Sequence, residues 1–390
     1  MEIVNKLLQR GVRIATPAGI EIGPEVDVER ISGQGVVIHS GCRIFGERTL
    51  ILPGATLGSE GPVTMENCLV GPGVELKGGY FREAVFLEKA SCGLGSHVRE
   101  GTILEEGASI AHTVGLKQTI LFPFVTLGSL INFCDCLMAG GTDRRNHSEV
   151  GSSYIHFNFT PNQDKATPSL IGDVPRGVML NQKPIFLGGQ GGIVGPVRLA
   201  FGTTVAAGTI LRKSELRPDR LIIGGAAKAG NIAFQPGRFS ATGRIIKNNL
   251  VYIANLMALH QWYRRVRSLF VGQRFPETLL AGLLENSRLA VAERTRRLKE
   301  LGDKMAQSGD GAFTERWPAL NEALHRQLDS AGDLRVCEPF LEAVTSMLSR
   351  EGKDYLAVIK ALSPQATEQG TAWLQGIVDD TVAAALKPLE

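Results

Sequence analysis

Two histidines and several cations are concentrated in one polar stretch of the sequence, MAGGTDRRNHSEVGSSYIHFNFTPNQDKATPSL, over residues 138–170. A histidine with an ordinary pKa of about 6.5 can accept a proton near neutral pH, so His147 and His156 are candidate general bases. The alternative for each is a surface or capping role. Arg144 and Arg145 are adjacent cations, which suit a phosphate or a carboxylate better than proton abstraction. The stretch therefore predicts a site for an anionic ligand.

A six-residue repeat surrounds this stretch and must position it. In VREGTILEEGASIAHT, Val98, Leu104 and Ile110 are six residues apart, which matches neither a helix nor an ordinary alternating strand. The spacing recurs through the chain before residue 232, in Phe86, Cys92, Val98, Leu104, Ile110, Leu116 and Phe122, in Leu187, Ile193, Leu199, Val205 and Leu211, and in the shorter runs Ile14, Ile20, Val26 and Leu57, Val63, Leu69.

Such a repeat is typical of a chain that runs straight for a few residues, turns a corner, and closes a triangular coil after three sides. Stacked coils pair as parallel strands, and the sixth-position side chains form an apolar column inside. Glycine relieves the corners, and most of the 46 glycines in the 390 residues precede residue 232. We therefore predict a parallel β-helix over residues 1–235. Its repeat breaks near residues 140–170, where we expect a projecting loop.

The pattern changes after about residue 245. Leu280, Leu284, Val291 and Leu298 are spaced as on the core face of an amphipathic helix. We predict an α-helical domain over residues 245–390, with helices near 248–271, 276–307, 316–328, 335–350 and 354–388, the last broken near Pro364. Two arginine clusters in this half are predicted to lie on solvated helix faces, namely Arg264, Arg265 and Arg267, and Arg294, Arg296 and Arg297.

Composition excludes several classes of partner. Lysine and arginine total 42 against 39 acidic residues, and a net charge of +3 creates no field that would attract nucleic acid or a membrane surface. The stretch NLVYIANLMAL is too short and too polar to span a bilayer. The start lacks a signal-peptide core, so we expect a cytoplasmic protein. The six cysteines lack zinc-ribbon spacing, and we predict reduced, buried thiols and no metal.

Several short motifs occur together after the polar stretch. They are Glu149-Val150-Gly151, Asn158-Phe159, Lys165, Leu170-Ile171-Gly172-Asp173, Gly195-Pro196-Val197 and Val205-Ala206-Ala207-Gly208-Thr209. In order and spacing they make residues 147–211 similar to the C-terminal acetyltransferase domain of the bifunctional N-acetylglucosamine-1-phosphate uridyltransferase/glucosamine-1-phosphate acetyltransferase family. That family makes UDP-N-acetylglucosamine, and its members have Asn-Tyr where this sequence has Asn158-Phe159.

The resemblance implies a left-handed β-helix and a homotrimer whose sites lie between subunits. It also implies a sugar phosphate or sugar nucleotide as one ligand and acetyl-CoA or another acyl-CoA as cosubstrate. On this basis we expect Asn158, Phe159 and Lys165 to bind the sugar ligand together with Arg144 and Arg145. We expect the acyl-CoA at a second set of residues, Gly189, Ala206 and Ala207.

Two departures from the family limit this expectation. The family has its general-base histidine in an Ala-Gly-His run, and the corresponding run here is Ala139-Gly140-Gly141. Loss of a general base ordinarily costs about 100-fold or more in rate, so another group, His147 or His156, must replace it in an active enzyme. The sequence also carries no Leu-Ala-Ala-Gly-x-Gly-Thr-Arg motif before the coils, so we expect no uridyltransferase activity.

Two interpretations of different classes follow. In the first, the chain is an acyltransferase-type enzyme of UDP-N-acetylglucosamine or related sugar-nucleotide metabolism. In the second, it is a non-catalytic trimeric scaffold that binds a sugar nucleotide and has lost the acetyltransferase base. The retained motifs favour the first interpretation, and the missing histidine favours the second. The helical domain is a possible surface for a protein partner in either case.

Overall fold

A computed structural model describes residues 2–157, 165–224, 230–231, 239 and 241–390. Over these residues the chain is a parallel β-solenoid of about 11 turns, followed by a C-terminal helical region. This confirms the fold class predicted from the six-residue repeat and from the later helical spacing.

Three parallel sheets form the three faces of the solenoid. The first face has strands Arg13–Ile14, Val37–Ile38, Thr56–Leu57, Glu75–Leu76, Ser91–Cys92, Ser109–Ile110, Thr126–Leu127, Glu149–Val150, Phe186–Leu187, Thr204–Val205 and Leu221–Ile222. The second has Glu21–Ile22, Arg43–Phe45, Val63–Glu66, Gly79–Arg82, Ser96–Val98, Val114–Lys117, Ile131–Cys134, Ile155–Phe157, Gly192–Val194 and Ile210–Leu211. The third has Leu50–Ile51, Leu69–Val70, Ala84–Phe86, Thr102–Leu104, Ile120–Leu121, Cys136–Met138, Ser169–Ile171 and Arg198–Leu199.

Most hexad residues occupy the interior, as the repeat predicts. The prediction is one or two residues out of register at Ile20, Leu69 and Phe122, where Ile22, Val70 and Leu121 take the column positions. Phe86 lies on the third face, Cys92 on the first and Val98 on the second, so successive hexads fall on successive faces. Each pairs with a hexad residue of the next turn: Phe86 with Leu104, and Cys92 with Ile110. All five are buried. One apolar side chain per face in each turn is therefore what holds the column together.

Two helices belong to the solenoid half. Helix α1 (Glu2–Gln9) covers the first turn with Val4 and Leu7 buried, and the sequence prediction had missed it. Helix α2 (Val174–Gly177) lies in an excursion between the third and first faces, with Asp173 accepting a hydrogen bond from the backbone nitrogen of Arg176 at 2.9 Å. The expected projecting loop begins with an antiparallel hairpin of Gly141–Asp143 and Asn146–His147.

The helical region closely follows the predicted pattern. Its helices are α3 (Thr242–Arg265), α4 (Glu277–Gln307), α5 (Ala312–Leu328), α6 (Leu334–Glu351), α7 (Tyr355–Lys360) and α8 (Pro364–Leu386). Capping side chains fix several helix starts: Asp333 for α6, Asp354 for α7 and Ser363 for α8. The expected break at Pro364 is confirmed as the start of α8. None of the described helices combines the length and apolarity needed to cross a bilayer.

Helical segments cover the third face of the solenoid. The residues of that face that alternate with the interior ones are also buried, including Val85, Ile103 and Ile120. Helix α4 contacts the strands Ala84–Phe86 and Thr102–Leu104. Asn249 of α3 donates to the backbone oxygen of Ala166 at 2.9 Å. Burial of this apolar layer contributes to the stability of both the solenoid and the helical region. The division into domains 1–235 and 245–390 stays a prediction.

The predicted solvated arginine faces are wrong for two of the six residues. Arg267 and Arg294 have only 1% and 2% of their surface exposed. Each forms an ion pair with a carboxylate of the solenoid, Arg267 with Glu106 and Arg294 with Asp135, the second at 2.8 Å. A buried charge requires such a partner, and here the partner comes from a distant part of the chain.

Candidate functional site

The hairpin places His147 directly opposite Gly141. Gly141 has φ +99°, and a Cβ atom there would lie 2.5 Å from both Asn146 O and His147 Cα. A side chain at residue 141 is therefore incompatible with this hairpin. His147 is half-buried, and its Nδ1 atom is buried without a hydrogen-bond partner among the described residues. An imidazole is thus present beside Gly141.

The strands of this hairpin are anchored to the coils at its base. Ser148 donates from Oγ to the backbone oxygen of Ala139 at 2.8 Å and accepts from the Ile185 nitrogen at 2.8 Å. The nitrogen of Gly141 donates to Gln182 O at 3.0 Å. These bonds fix where the hairpin leaves the solenoid, and hence where His147 lies.

The turn of the hairpin is closed by Asp143. Its Oδ1 atom accepts from the backbone nitrogens of Arg145 at 2.7 Å and Asn146 at 3.2 Å. The Arg145 bond, with further hydrogen bonds from Thr142 and Asn146, holds the pKa of the Asp143 carboxyl below its usual range. An aspartate that bonds its own following backbone is a common way to build a tight turn.

The two arginines of the turn have different surroundings. Arg144 reaches across the coils, and its Nη1 atom lies 2.9 Å from Gly107 O and 3.2 Å from Phe124 O. The same atom is 3.1 Å from Thr126 Oγ1. The side chain of Arg145 is exposed, as is Lys165. Arg144 also lines a cavity whose other wall includes residues of the helical region.

His156 lies inside the solenoid. Only 8% of its surface is exposed, and its Nε2 atom is 2.8 Å from Ser169 Oγ. Burial lowers the pKa of His156 to about 4. The ring is neutral at neutral pH, but it is closed off from a ligand outside the coils.

The residues expected to bind acyl-CoA share one corner of the last turns. Gly189 follows the strand Phe186–Leu187, and Ala206 and Ala207 follow Thr204–Val205, which pairs with it. Gly208 N donates to Gly189 O at 2.9 Å. This corner carries only small side chains, so a ligand could approach its backbone closely. Asn158 and Phe159, expected at the sugar site, lie outside the described residues.

Two acidic residues at one coil corner were not recognised as important from the sequence. Glu105 accepts a hydrogen bond from Tyr263, and Glu106 pairs with Arg267. Burial and the neighbouring Glu106 charge raise the pKa of Glu105 to about 7. A signal for them was present in the hexad segment VREGTILEEGASIAHT, because Leu104-Glu105-Glu106-Gly107 places two carboxylates next to a residue of the interior column.

Metal ligands are not clustered in the described part of the chain, where no group of three or more His, Cys, Asp or Glu side chains could hold a metal ion. The described cysteines are free thiols. Burial, with the nearby Asp135 charge, raises the pKa of Cys134 to about 11. These thiols therefore have the character of core residues.

Comparison with known proteins agrees with the resemblance seen in the motifs. No family model matches the chain. The bifunctional protein GlmU of Thermotoga petrophila is 27% identical over 236 residues, which cover 58% of this chain and 45% of that relative. The chain is similar to GlmU. The GlmU of Trichlorobacter lovleyi is 27% identical over 219 residues, and that of Thermotoga sp. strain RQ2 is 26% identical over 239 residues.

The alignments with GlmU cover only part of each protein. The chain covers 42% of the Trichlorobacter lovleyi protein and 45% of the Thermotoga sp. protein, with 56% and 58% of this chain aligned. The chain thus spans less than half the length of the GlmU relatives it matches. The resemblance predicted from the sequence is confirmed, together with the solenoid that carries it.

Proposed function

We propose that the protein is an acyltransferase-type enzyme of sugar-nucleotide metabolism, with His147 as the general base. The observation that carries this proposal is the pairing of His147 with Gly141 across the hairpin. The family that this sequence resembles has a histidine at the position of Gly141. Here the His147 imidazole lies next to that position, on the opposite strand of the hairpin. His156 is a weaker candidate because it is buried against Ser169.

The reaction that fits these residues is transfer of an acyl group from a thioester to an amine. The amine nitrogen attacks the thioester carbonyl, a C–N bond forms, and the C–S bond breaks to release the CoA thiol. His147 accepts the proton that the nitrogen loses and can return a proton to the departing sulfur. Its Nδ1 atom is buried without a partner among the described residues, so we propose the other ring nitrogen, Nε2, as the atom that accepts the proton.

Candidate ligand-binding groups come from the hairpin, from the segment that follows it and from the corner of the last turns. Arg145 and Lys165 are exposed cations that suit a sugar phosphate, and Asn158 and Phe159 belong to the same proposed site through the resemblance. The corner of Gly189, Ala206 and Ala207 is proposed to contact the acyl-CoA. We further propose a cytoplasmic homotrimer in which a neighbouring subunit completes each site.

The direct test is release of free CoA from acetyl-CoA in the presence of amino-sugar acceptors, beginning with glucosamine 1-phosphate. We expect acceptor-dependent CoA release by the wild-type protein. Binding of UDP-N-acetylglucosamine without CoA release from any acceptor would instead support the trimeric scaffold, for which the emptied Gly141 position is the structural argument.

A further inference from the structure

A cavity of about 470 Å³ lies between the solenoid and the helical region, away from the corner proposed for acyl-CoA. Coil residues form one wall, and the segment joining α3 to α4 and the segment joining α6 to α7 form the other. Arg144 reaches it from the hairpin. The volume falls in the range typical of small-molecule sites, which is roughly 300–1,000 Å³.

The charges around this cavity favour an anion. Its lining includes five Arg or Lys side chains against three carboxylates. Two of these cations, Arg144 and Lys353, form no ion pair with a carboxylate among the described residues. Lys353 donates to the backbone oxygen of Val271, and the contacts of Arg144 are to carbonyl and hydroxyl oxygens. Their positive charges are therefore available to a ligand.

Arg144 contacts the coils through one side of its guanidinium. Its four contacts with the coils, including Ser109 Oγ at 3.4 Å, are all made by the single atom Nη1. The Nε–Nη2 edge takes part in none of them. That edge provides the two parallel N–H groups that bind phosphate or carboxylate in a bidentate manner. The coils thus hold the guanidinium in place without occupying its anion-binding edge.

Another cation of the lining, Arg267, is buried and only partly paired. Arg267 bonds Glu106 through Nη2, while its Nε and Nη1 atoms are buried without partners among the described residues. Its guanidinium lies between two rings, 4.4 Å from the Phe275 centroid and 3.8 Å from the Tyr355 centroid. The remaining wall is apolar, formed by Phe124, Phe270, Phe275, Leu279, Tyr355 and Leu356.

We propose that this cavity binds a phosphorylated ring compound of about nucleoside-monophosphate size. Arg144 and Lys353 would bind the phosphate, and the apolar wall would contact the ring. The site is separate from acyl transfer, because most of its lining comes from the helical region and from turns before residue 125. Arg144 is three residues from His147, so this ligand would also restrain the hairpin that carries the proposed base.

Calorimetric titration of the full chain with AMP and, separately, with inorganic phosphate tests the proposal. We expect AMP to bind with a Kd below about 1 mM and at least about tenfold more tightly than inorganic phosphate. The variants Arg144→Gln and Lys353→Gln should each weaken AMP binding by about tenfold or more, since each removes a charge-assisted contact. Matched controls are Arg43→Gln and Lys77→Gln, which change solenoid cations outside the cavity.

Three outcomes would overturn the proposal: no AMP binding at millimolar concentration, equal affinity for inorganic phosphate, or equal weakening in the control variants. A further variant separates this site from the one proposed for acyl-CoA. If Ala207→Glu abolishes AMP binding while Arg144→Gln retains it, AMP binds at the acyl-CoA corner and the cavity assignment is wrong. AMP binding that depends on Arg144 would stand even if the protein released no CoA.

Discussion

Tyr263 of α3 donates a hydrogen bond of 2.5 Å to Glu105 Oε1 at a corner of the solenoid. The two residues are buried, and the neighbouring Glu106 pairs with Arg267. The contact joins the helical region to the coils through a carboxyl group whose pKa is raised to about 7, first by burial and then by the Glu106 charge. The protonation of Glu105 is therefore coupled to the stability of this junction.

Stability should fall as Glu105 loses its proton. In the unfolded chain a glutamate has a pKa of about 4.3, so between that pH and 7 the folded chain holds a proton that the unfolded chain has lost. The free energy of unfolding should therefore decrease as pH rises from 5 to 7, by roughly 3 kcal/mol at most, and then level off.

Urea unfolding at several pH values measures this effect. Glu105→Gln should remove this part of the pH dependence, because glutamine remains neutral. The exposed residue Glu75 provides a control, Glu75→Gln, which should leave the wild-type profile intact. The account of the junction is wrong if the wild type and Glu105→Gln show parallel profiles between pH 5 and 8.

Gly141 should not tolerate a side chain. Gly141→Ala places a Cβ atom against Asn146 O and His147 Cα and forces a positive φ on alanine, at a cost of about 1–3 kcal/mol. Chemical denaturation should show this loss. Gly243 is a suitable control, because a Cβ there would meet no atom within 4 Å and its φ is not positive. Unchanged stability of Gly141→Ala would contradict the hairpin geometry.

Two arginines of α4, Arg294 and Arg296, should differ strongly in their contribution to stability. Arg294→Ala leaves the half-buried Asp135 without this partner and should cost about 3 kcal/mol, the lower end of the range for buried pairs. Arg296 has 52% of its side chain exposed and pairs with Glu293 and Glu300 of its own helix. Arg296→Ala should cost less than about 1 kcal/mol. Equal destabilisation of the two variants in denaturant titrations would contradict the assigned roles.

The proposed trimer can be tested by its mass. Each chain is 42.0 kDa, and multi-angle light scattering at micromolar concentration should give about three times this mass. Exposed apolar residues on the solenoid, including Phe186 and Leu221, are available for burial between subunits. A stable monomer at this concentration would disprove the trimer and with it the sharing of sites between subunits.

Much of the fold follows from local sequence patterns. The hexads from Phe86 to Leu116 predicted the interior column because the turn-to-turn spacing is set by the chain itself, whereas Phe122 was predicted one residue too far, since Leu121 pairs with Leu104. The helix start at Pro364 was predictable because proline lacks the N–H that an interior helical position needs. The short helix α1 was missed because two turns give too little periodicity to distinguish it from a coil.

The candidate site was only partly predictable. The sequence predicted His147 or His156 as a replacement base, but the place of His147 opposite Gly141 depends on the register of a hairpin. The burial of Arg267 could not be predicted, since Glu106 lies 161 residues earlier and meets it only after α3 packs on the coils. Local patterns predict which elements form, whereas partners of this kind depend on how distant elements dock.

Turnover of His147→Ala tests the central claim most directly. With acetyl-CoA and an acceptor that the wild type uses, the variant should show a kcat lowered by about 100-fold, with ligand affinity within about twofold of wild type. His112→Ala is the control, since His112 is an exposed histidine on the coils. If His147→Ala retains full turnover, or loses no more than His112→Ala, His147 is not the general base and the proposed mechanism is wrong.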